Sequence, residues 1–589
     1  MDTIRVKING FEYEVPAGST VLEACHTAGV EIPTLCYLKD INAIGACRIC
    51  LVEVQEAPDS GRPAHMVASC VFPANDGMAI FTNSPKVREN RKMTLELILS
   101  THKKECLACV RNGSCELQKL CNEYGIEDEN AMAGDTVPYE IDRSAVHMYR
   151  DNEKCILCRR CVAACEKLQG CSVIGANARG FDTHIGSAFE WGLGDVACVN
   201  CGQCINYCPT GALSERDDTQ KVFEALNNPD LHVIVQTAPS VRVGLGEEFG
   251  MPMGSIVTGK MVRALRMLGF ENVFDTNFSA DLTIMEEATE FLDRFKNGGK
   301  LPLITSCSPG WINFCEHYYP EFIPNLSSCK SPQGMFGAVA KTYYAEKMGW
   351  DPASIFSVSV MPCTAKKFEA ERSDYKTAVE GLRDIDASLT TRELARMIRK
   401  AGINFTAIPD DEFDSPFGLG SGAGTIFGAT GGVMEAALRT AYHALTGEEL
   451  ENFDLFKPIR GTEEIKEAEL TINGVTIRVC VTSGLINARK VLDMVKSGEK
   501  QYDFIEVMAC PGGCVNGGGQ PIVPASVRNF TDVRAVRAAG LYKDDENLPV
   551  RKSHLNPDIT RVYDEFFGEP GSHKAHEILH TYYEARKQY

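Results

Sequence analysis

Two cysteine runs carry the most specific chemistry in this sequence: Cys155-x2-Cys158-x2-Cys161-x3-Cys165 and Cys198-x2-Cys201-x2-Cys204-x3-Cys208-Pro209. In two-cluster iron-sulfur units built on this run, the fourth Cys of each copy ligates the other cluster. The spacing predicts one 4Fe-4S cluster on Cys155, Cys158, Cys161 and Cys208 and a second on Cys198, Cys201, Cys204 and Cys165. Paired thiolates also suit tetrahedral zinc, but two complete copies closed by Pro209 favour iron.

Two further sets lie upstream. Cys36-x10-Cys47-x2-Cys50-x19-Cys70 resembles the 2Fe-2S pattern of the electron-input arm of respiratory complex I. His102-x3-Cys106-x2-Cys109-x5-Cys115 is similar to a 4Fe-4S set of one histidine and three cysteines in the same arm. A neutral imidazole in place of an anionic thiolate raises a cluster's potential. Structural zinc is the competing reading of both sets. Four clusters in one chain make sense as an electron relay rather than as staples. Cys25 falls on the apolar side of a helix and is expected to be a buried hydrophobe. Cys121 and Cys171 fall outside every set and are expected to pack.

The totals agree. The chain has 589 residues, 25 of them Cys, with a formal net charge of -19. That length calls for about three to five domains. A long chain with dispersed thiols is no disulfide scaffold, and an acid excess opposes nucleic-acid binding. There is no apolar run of spanning length and no signal-peptide pattern, so a cytoplasmic protein without membrane spans is expected.

The elements that position these residues follow from local pattern. Asn9-Gly10 within RVKINGFEYEVP signals a β-hairpin, and Thr20 and Glu23 have capping-box spacing before a helix that stops at Gly29. The expected fold is a multidomain α+β chain. Residues 1–80 form a β-grasp, ferredoxin-like 2Fe-2S unit, 81–145 a helical unit carrying the histidine-and-three-cysteine 4Fe-4S set, and 146–225 a two-cluster bacterial ferredoxin unit. Residues 226–589 form an α/β domain, where HVIVQTAPS, LPLITSCSPGW, IFSVSVMPC and DFIEVMACPGGC each run a strand into a turn. In α/β layers ligands sit beyond strand C-termini, so these ends are expected to share one pocket. The glycine-rich SGAGTIFGATGG lacks a βαβ context and is expected to pack near that pocket rather than bind a dinucleotide.

Three segments in this domain go further: Thr305-Ser-Cys-Ser-Pro-Gly-Trp311, Met361-Pro-Cys-Thr-Ala-Lys-Lys-Phe-Glu369, and Glu506 to Pro521 with its CPGGC and Gly517–Gly519. They resemble the three signature motifs of iron-only (FeFe) hydrogenases, and the similarity extends over nearly the whole chain, through RKSHLNP and AHEILH. The resemblance implies reversible H2 oxidation at a six-iron H-cluster, a 4Fe-4S cluster joined to a diiron subcluster carrying CO, cyanide and a dithiolate. It implies Cys363, Cys510 and Cys514 as ligands, with Cys514 the bridge. It places Lys366 and the backbone at Pro239 and Ser240 on the cyanides, with Met361, Met508 and Phe417 as a dry wall. The implied proton path runs Cys307, Glu287, Ser327, Glu290, with Arg294 near the exit. Glu287 and Glu290 stand at i, i+3, on one helix face.

One position departs from the family, which has adjacent cysteines before Pro-Trp, the first relaying protons and the second ligating the cluster. Here the second is Ser308: either Ser308 replaces the ligand or Cys307 takes it over, so Cys307 is assigned both to relay and to ligation. Cys315 and Cys329 are near in sequence and are read as packing residues. The implied cofactors are one 2Fe-2S cluster, three 4Fe-4S clusters and the H-cluster. The implied partners are ferredoxin or another redox protein, NAD(P)- or flavin-binding partner subunits, and maturation proteins. Two other functions stand beside catalysis: an H2 sensor of low turnover, which the Ser308 change keeps open, and a redox subunit of the complex I type whose C-terminal domain only docks partners.

Overall fold

The computed structural model describes residues 2–56, 62–132 and 137–588. At the N-terminus, Asn9 and Gly10 both take positive φ (50° and 94°), which a tight type I′ turn requires, and pair Thr3–Ile8 with Phe11–Pro16. These strands join a five-stranded sheet with Ala79–Phe81, Leu51–Gln55 and His65–Ala68. The helix Val21–Thr27 starts at a reciprocal capping box: Glu23 N–H donates to Thr20 Oγ1 at 3.2 Å and Thr20 N–H to Glu23 Oε2 at 2.9 Å. Its buried face is Val21, Leu22, Ala24 and Cys25.

The helices Pro85–Leu99 and Glu116–Glu123 follow. Buried Arg91 pins the first to the sheet through Leu51 O and reaches Tyr124 Oη at 3.0 Å.

The two-cysteine-run unit repeats its own backbone. Leu157 and Arg159 in the first run, and Asn200 and Gly202 in the second, sit at the same offsets from their cysteines, all with φ between 52° and 68°. Each left-handed residue turns the loop around a common centre before a short helix, Arg160–Lys167 or Gln203–Tyr207. Two antiparallel ribbons complete the unit, Met148–Arg150 with Leu213–Glu215 and Gly175–Asn177 with His184–Gly186.

The C-terminal region holds two four-stranded sheets. One is wholly parallel, in the order Asn272–Asp275, His232–Thr237, Ile355–Met361, Ala387–Thr390. In the other, Leu303–Ile304, Phe504–Met508 and Val475–Ser483 run parallel and Ile465–Ile472 pairs antiparallel at the edge. The 22-residue helix Thr276–Asn297 lies between them, packing Ala280, Ile284 and Phe291 on the core of the second sheet and Phe278 and Leu282 with Ile234 of the first. Burial on both faces is what the near-continuous apolar runs of these parallel strands require. Among the described residues, no helix is long and apolar enough to cross a membrane.

Candidate functional site

The C-terminal ends of both sheets open into one cavity. Thr237 leads into Pro239 and Ser240, Met361 into Cys363 and Lys366, Ile304 into Cys307 and Ser308, and Met508 into Cys510 and Cys514, and the residues so reached line it. The four strand ends singled out in the sequence therefore meet. Phe427 and Gly428, from the segment SGAGTIFGATGG, form part of the wall. Phe417 does not line the cavity. It is fully buried in an aromatic cluster with Phe274, Phe278 and Phe336, and Phe427 supplies the phenyl wall instead.

The loop 510–520 is shaped by close backbone approach. A Cβ on Gly517 would stand 2.1 Å from Pro362 O, and one on Gly518 2.1 Å from Cys201 O, so only glycine fits. Buried arginines hold the same loop: Arg392 donates to Gly518 O and Gln520 O, and Arg537 to Val515 O.

Around the cavity, Cys363, Cys510 and Cys514 form one electrostatic group, and burial pushes all three thiols up, Cys514 to about 12. Such thiols give up their protons to a metal rather than to water. Cys307 is placed differently. Its electrostatic neighbours are Glu287, Cys514 and Lys366, and burial raises its thiol well above the usual range. Ser308 Oγ accepts from Ala509 N–H at 3.3 Å, next in sequence to Cys510. Lys366 Nζ donates to Ser331 Oγ at 2.7 Å and to Glu369 at 3.0 Å. Ser240 Oγ is buried against the cavity with no partner. Soft thiolates, a glycine cradle, a lysine and an orphaned hydroxyl on an apolar wall fit an iron-sulfur group with small polar ligands.

A line of polar groups leaves the cavity. Burial, then the charge of Glu290, push the Glu287 carboxyl up to about 8, and Ser327 lies beside it. Ser327 Oγ also donates to Glu290 Oε2 at 2.9 Å, and Arg294 pairs with Glu290 Oε1 at 2.5 Å. Cys307, Glu287, Ser327, Glu290 and Arg294 thus stand in the expected order. Sequence reading missed what surrounds them: Ser328, Cys329, His580 and Glu286 close around Glu290. Cys315 instead packs in the core beside Trp311 and Phe314.

The other cysteines gather as four sets. Cys155, Cys158, Cys161 and Cys208 line one small cavity, and Cys165, Cys198, Cys201 and Cys204 line another. Cys171, set aside in the sequence, lines the second as well. The second cavity also holds buried polar atoms without partners, on His147, Gln169 and Arg150. Donors left unpaired beside four thiols fit the sulfides of a cluster. Cys36 neighbours Cys47 and Cys70, and Cys70 neighbours Cys50, so the four thiols lie together. Cys109 neighbours Cys106 and Cys115, with Cys121 close to both of the latter. Burial holds His102 neutral, down to about 4, with Nδ1 unpartnered.

These sets are stitched together. Asn42 Nδ2 donates to both Cys36 O (2.8 Å) and Cys158 O (3.0 Å). Glu116 N–H, next to Cys115, donates to Pro209 O at 3.0 Å, next to Cys208. Cys201 lines the strand-end cavity, and its largest charged neighbour is Cys510. Both N-terminal sets abut the first ferredoxin-type set, and the second abuts the catalytic cavity.

A branched series of cysteine sets ending in a strand-end thiol cavity defines an iron-sulfur oxidoreductase. Family models match along the chain: a 2Fe-2S iron-sulfur cluster binding domain over 1–85, the NADH-ubiquinone oxidoreductase-G iron-sulfur binding region over 91–130, and a 4Fe-4S dicluster domain over 154–212. The C-terminal domain of the iron-only hydrogenase large subunit matches 231–518, and the iron hydrogenase small subunit matches 531–586. The chain is 46% identical over 599 residues to the NADP-reducing hydrogenase subunit HndD of Solidesulfovibrio fructosivorans, covering 100% of both chains. It is 46% identical to iron hydrogenase 1 of Clostridium pasteurianum, covering 98% of this chain and 99% of that one. An apo FeFe-hydrogenase structure from Chlamydomonas reinhardtii, a variant, superposes with TM-score 0.56 at 43% identity, over 63% of this chain and 100% of that chain. The chain belongs to the iron-only hydrogenase family. It is an oxidoreductase acting on H2, with iron-sulfur domains N-terminal to its catalytic domain.

Proposed function

We propose that Cys363, Cys510 and Cys514 hold the H-cluster, with Cys514 its bridge and Ser308 Oγ at the fourth corner of the cubane, while Cys307 relays protons. The observation that carries this is the split at Cys307-Ser308: the charged neighbours of the thiol are Glu287, Cys514 and Lys366, while the hydroxyl accepts from Ala509 N–H, next in sequence to Cys510. When bound, the group supplies the iron at which H2 is split heterolytically. The chain supplies the rest. Lys366 and the Ser240 hydroxyl orient polar ligands, Met361, Met508 and Phe427 exclude water, and Cys307 hands a proton to Glu287. Ser327, beside Glu287 and hydrogen-bonded to Glu290, passes it to Glu290, and Arg294 holds that carboxylate at the exit.

The electron route uses one 2Fe-2S set on Cys36, Cys47, Cys50 and Cys70, and a 4Fe-4S set on His102, Cys106, Cys109 and Cys115. Both feed the two ferredoxin-type clusters. The likeness to an NADP-reducing hydrogenase subunit supports partner subunits as acceptors, since this chain offers no dinucleotide fingerprint of its own. Cys307→Ala tests the assignment. Infrared bands of CO and cyanide persist in the matured variant while H2 turnover falls at least about 100-fold. Loss of the bands would move Cys307 into the ligand set, and undiminished turnover would remove it from the relay.

A further inference from the structure

Glu290, Cys329 and His580 come from three separate places in the chain, yet their ligand atoms lie within 4.8 Å of one another. Glu290 projects from the helix Thr276–Asn297, Cys329 from the segment after Ser327, and His580 from the stretch beyond the helix His573–Leu579. The last two are locked in register by backbone bonds, Lys330 N–H to Leu579 O (2.9 Å) and Thr581 N–H to Ser328 O (2.8 Å). Cys329 Sγ is 3.7 Å from Glu290 Oε2. A zinc ion with bonds of about 2.3 Å to sulfur and about 2.0 Å to oxygen at a tetrahedral angle spans an edge of roughly 3.5 Å.

The imidazole is prepared for a cation. Its Nε2 stands 3.1 Å from Glu286 Oε2, and Glu286 is itself fixed by the Tyr563 hydroxyl and by Gly571 N–H at 2.9 Å. A carboxylate so held accepts Nε2–H, which leaves Nδ1 as the lone-pair nitrogen. Nδ1 faces Ser328 Oγ at 2.8 Å, and that hydroxyl lies 3.2 Å from Glu290. This is the carboxylate–histidine arrangement that orients zinc-binding imidazoles. Glu286 and Glu290 both bear on Cys329, so the place is anionic, and the donors are one sulfur, one nitrogen and one oxygen. That mixture selects a borderline divalent ion, zinc before magnesium or calcium.

We propose that Glu290, Cys329 and His580 form an inhibitory Zn2+ site, the ion displacing the thiol proton of Cys329. Water takes the fourth position, and access is through Glu290, whose side chain is 13% exposed. The inhibitory role rests on the reading of Glu290 as a proton carrier. Arg294 occupies Oε1, so the ion takes Oε2, the oxygen that accepts from Ser327 at 2.9 Å, and the relay is broken there.

The test uses matured holoenzyme equilibrated with micromolar zinc sulfate, then freed of loose metal by gel filtration. Wild type retains one more zinc per chain than Cys329→Ala, and the zinc concentration that halves H2 oxidation with a viologen dye is at least tenfold lower for wild type. EDTA restores the wild-type rate. Cys329→Ser keeps the volume and loses the soft donor, so it behaves as Cys329→Ala does. Equal zinc retention in wild type and both variants overturns the site. Extra zinc in wild type with no loss of turnover overturns the inhibitory role and, separately, the placing of Glu290 on the proton route.

Discussion

Residue types chosen for their redox and proton chemistry were the most legible feature of the chain, because ligand spacing is a local property. Cys363, Cys510 and Cys514, and the series Cys307, Glu287, Ser327, Glu290, come together although up to 227 residues separate them, counting from Glu287 to Cys514. Ring placement was not legible: nothing local distinguishes Phe417 from Phe427, ten residues apart in the same glycine-rich stretch. Only the packing sends one into the aromatic core and the other to the cavity. Glu287 makes the sharpest claim at this scale. Its carboxyl rises from 4.5 to about 8, so between those values the folded chain binds one more proton than the unfolded chain. The stability this group contributes therefore falls as pH rises through that window. In Glu287→Gln the penalty is absent, so the variant's unfolding temperature gains on wild type from pH 5 to pH 8 while its H2 turnover drops at least about 100-fold. An offset in unfolding temperature that does not change with pH contradicts the assigned proton occupancy.

At the scale of elements, punctuation residues predicted well where a turn or cap fixes the backbone by itself. Asn9-Gly10 and the Thr20–Glu23 box behave as their chemistry demands. The same signal stood unread at Asn473-Gly474, whose positive φ values of 49° and 78° close the edge hairpin Ile465–Ile472 with Val475–Ser483. The ribbons flanking the ferredoxin-type loops were invisible for another reason: strands of three residues carry too little periodicity. One of them delivers Met148 and, just before it, His147, wholly buried with both ring nitrogens unpartnered beside Cys165, Cys198, Cys201 and Cys204. Burial holds that imidazole down to about 3, so it is neutral and has one N–H to give. A donor to cluster sulfides stabilises the reduced state, so His147→Leu lowers the potential of the second ferredoxin-type cluster. A redox titration followed by electron paramagnetic resonance measures it, and an unchanged potential would show that the imidazole does not bear on the cluster.

The whole molecule is a branched series of cysteine sets ending at a thiol-lined cavity, and its connectivity lay beyond sequence because it depends on single contacts between units. Asn42, bridging Cys36 O and Cys158 O, and Arg160, whose buried guanidinium meets Glu116 at 3.0 Å, both stand at unspecified positions between the ligand cysteines of their runs. Sequence named the clusters, and these contacts set their order. We propose that every set is filled: a 2Fe-2S cluster, three 4Fe-4S clusters and a six-iron group at the strand ends. Iron analysis of anaerobically purified, fully matured protein tests it most directly. The ligand sets predict about 20 iron atoms per chain; a content that stops near about 14, enough for the relay alone, or zinc standing in for iron, would contradict it.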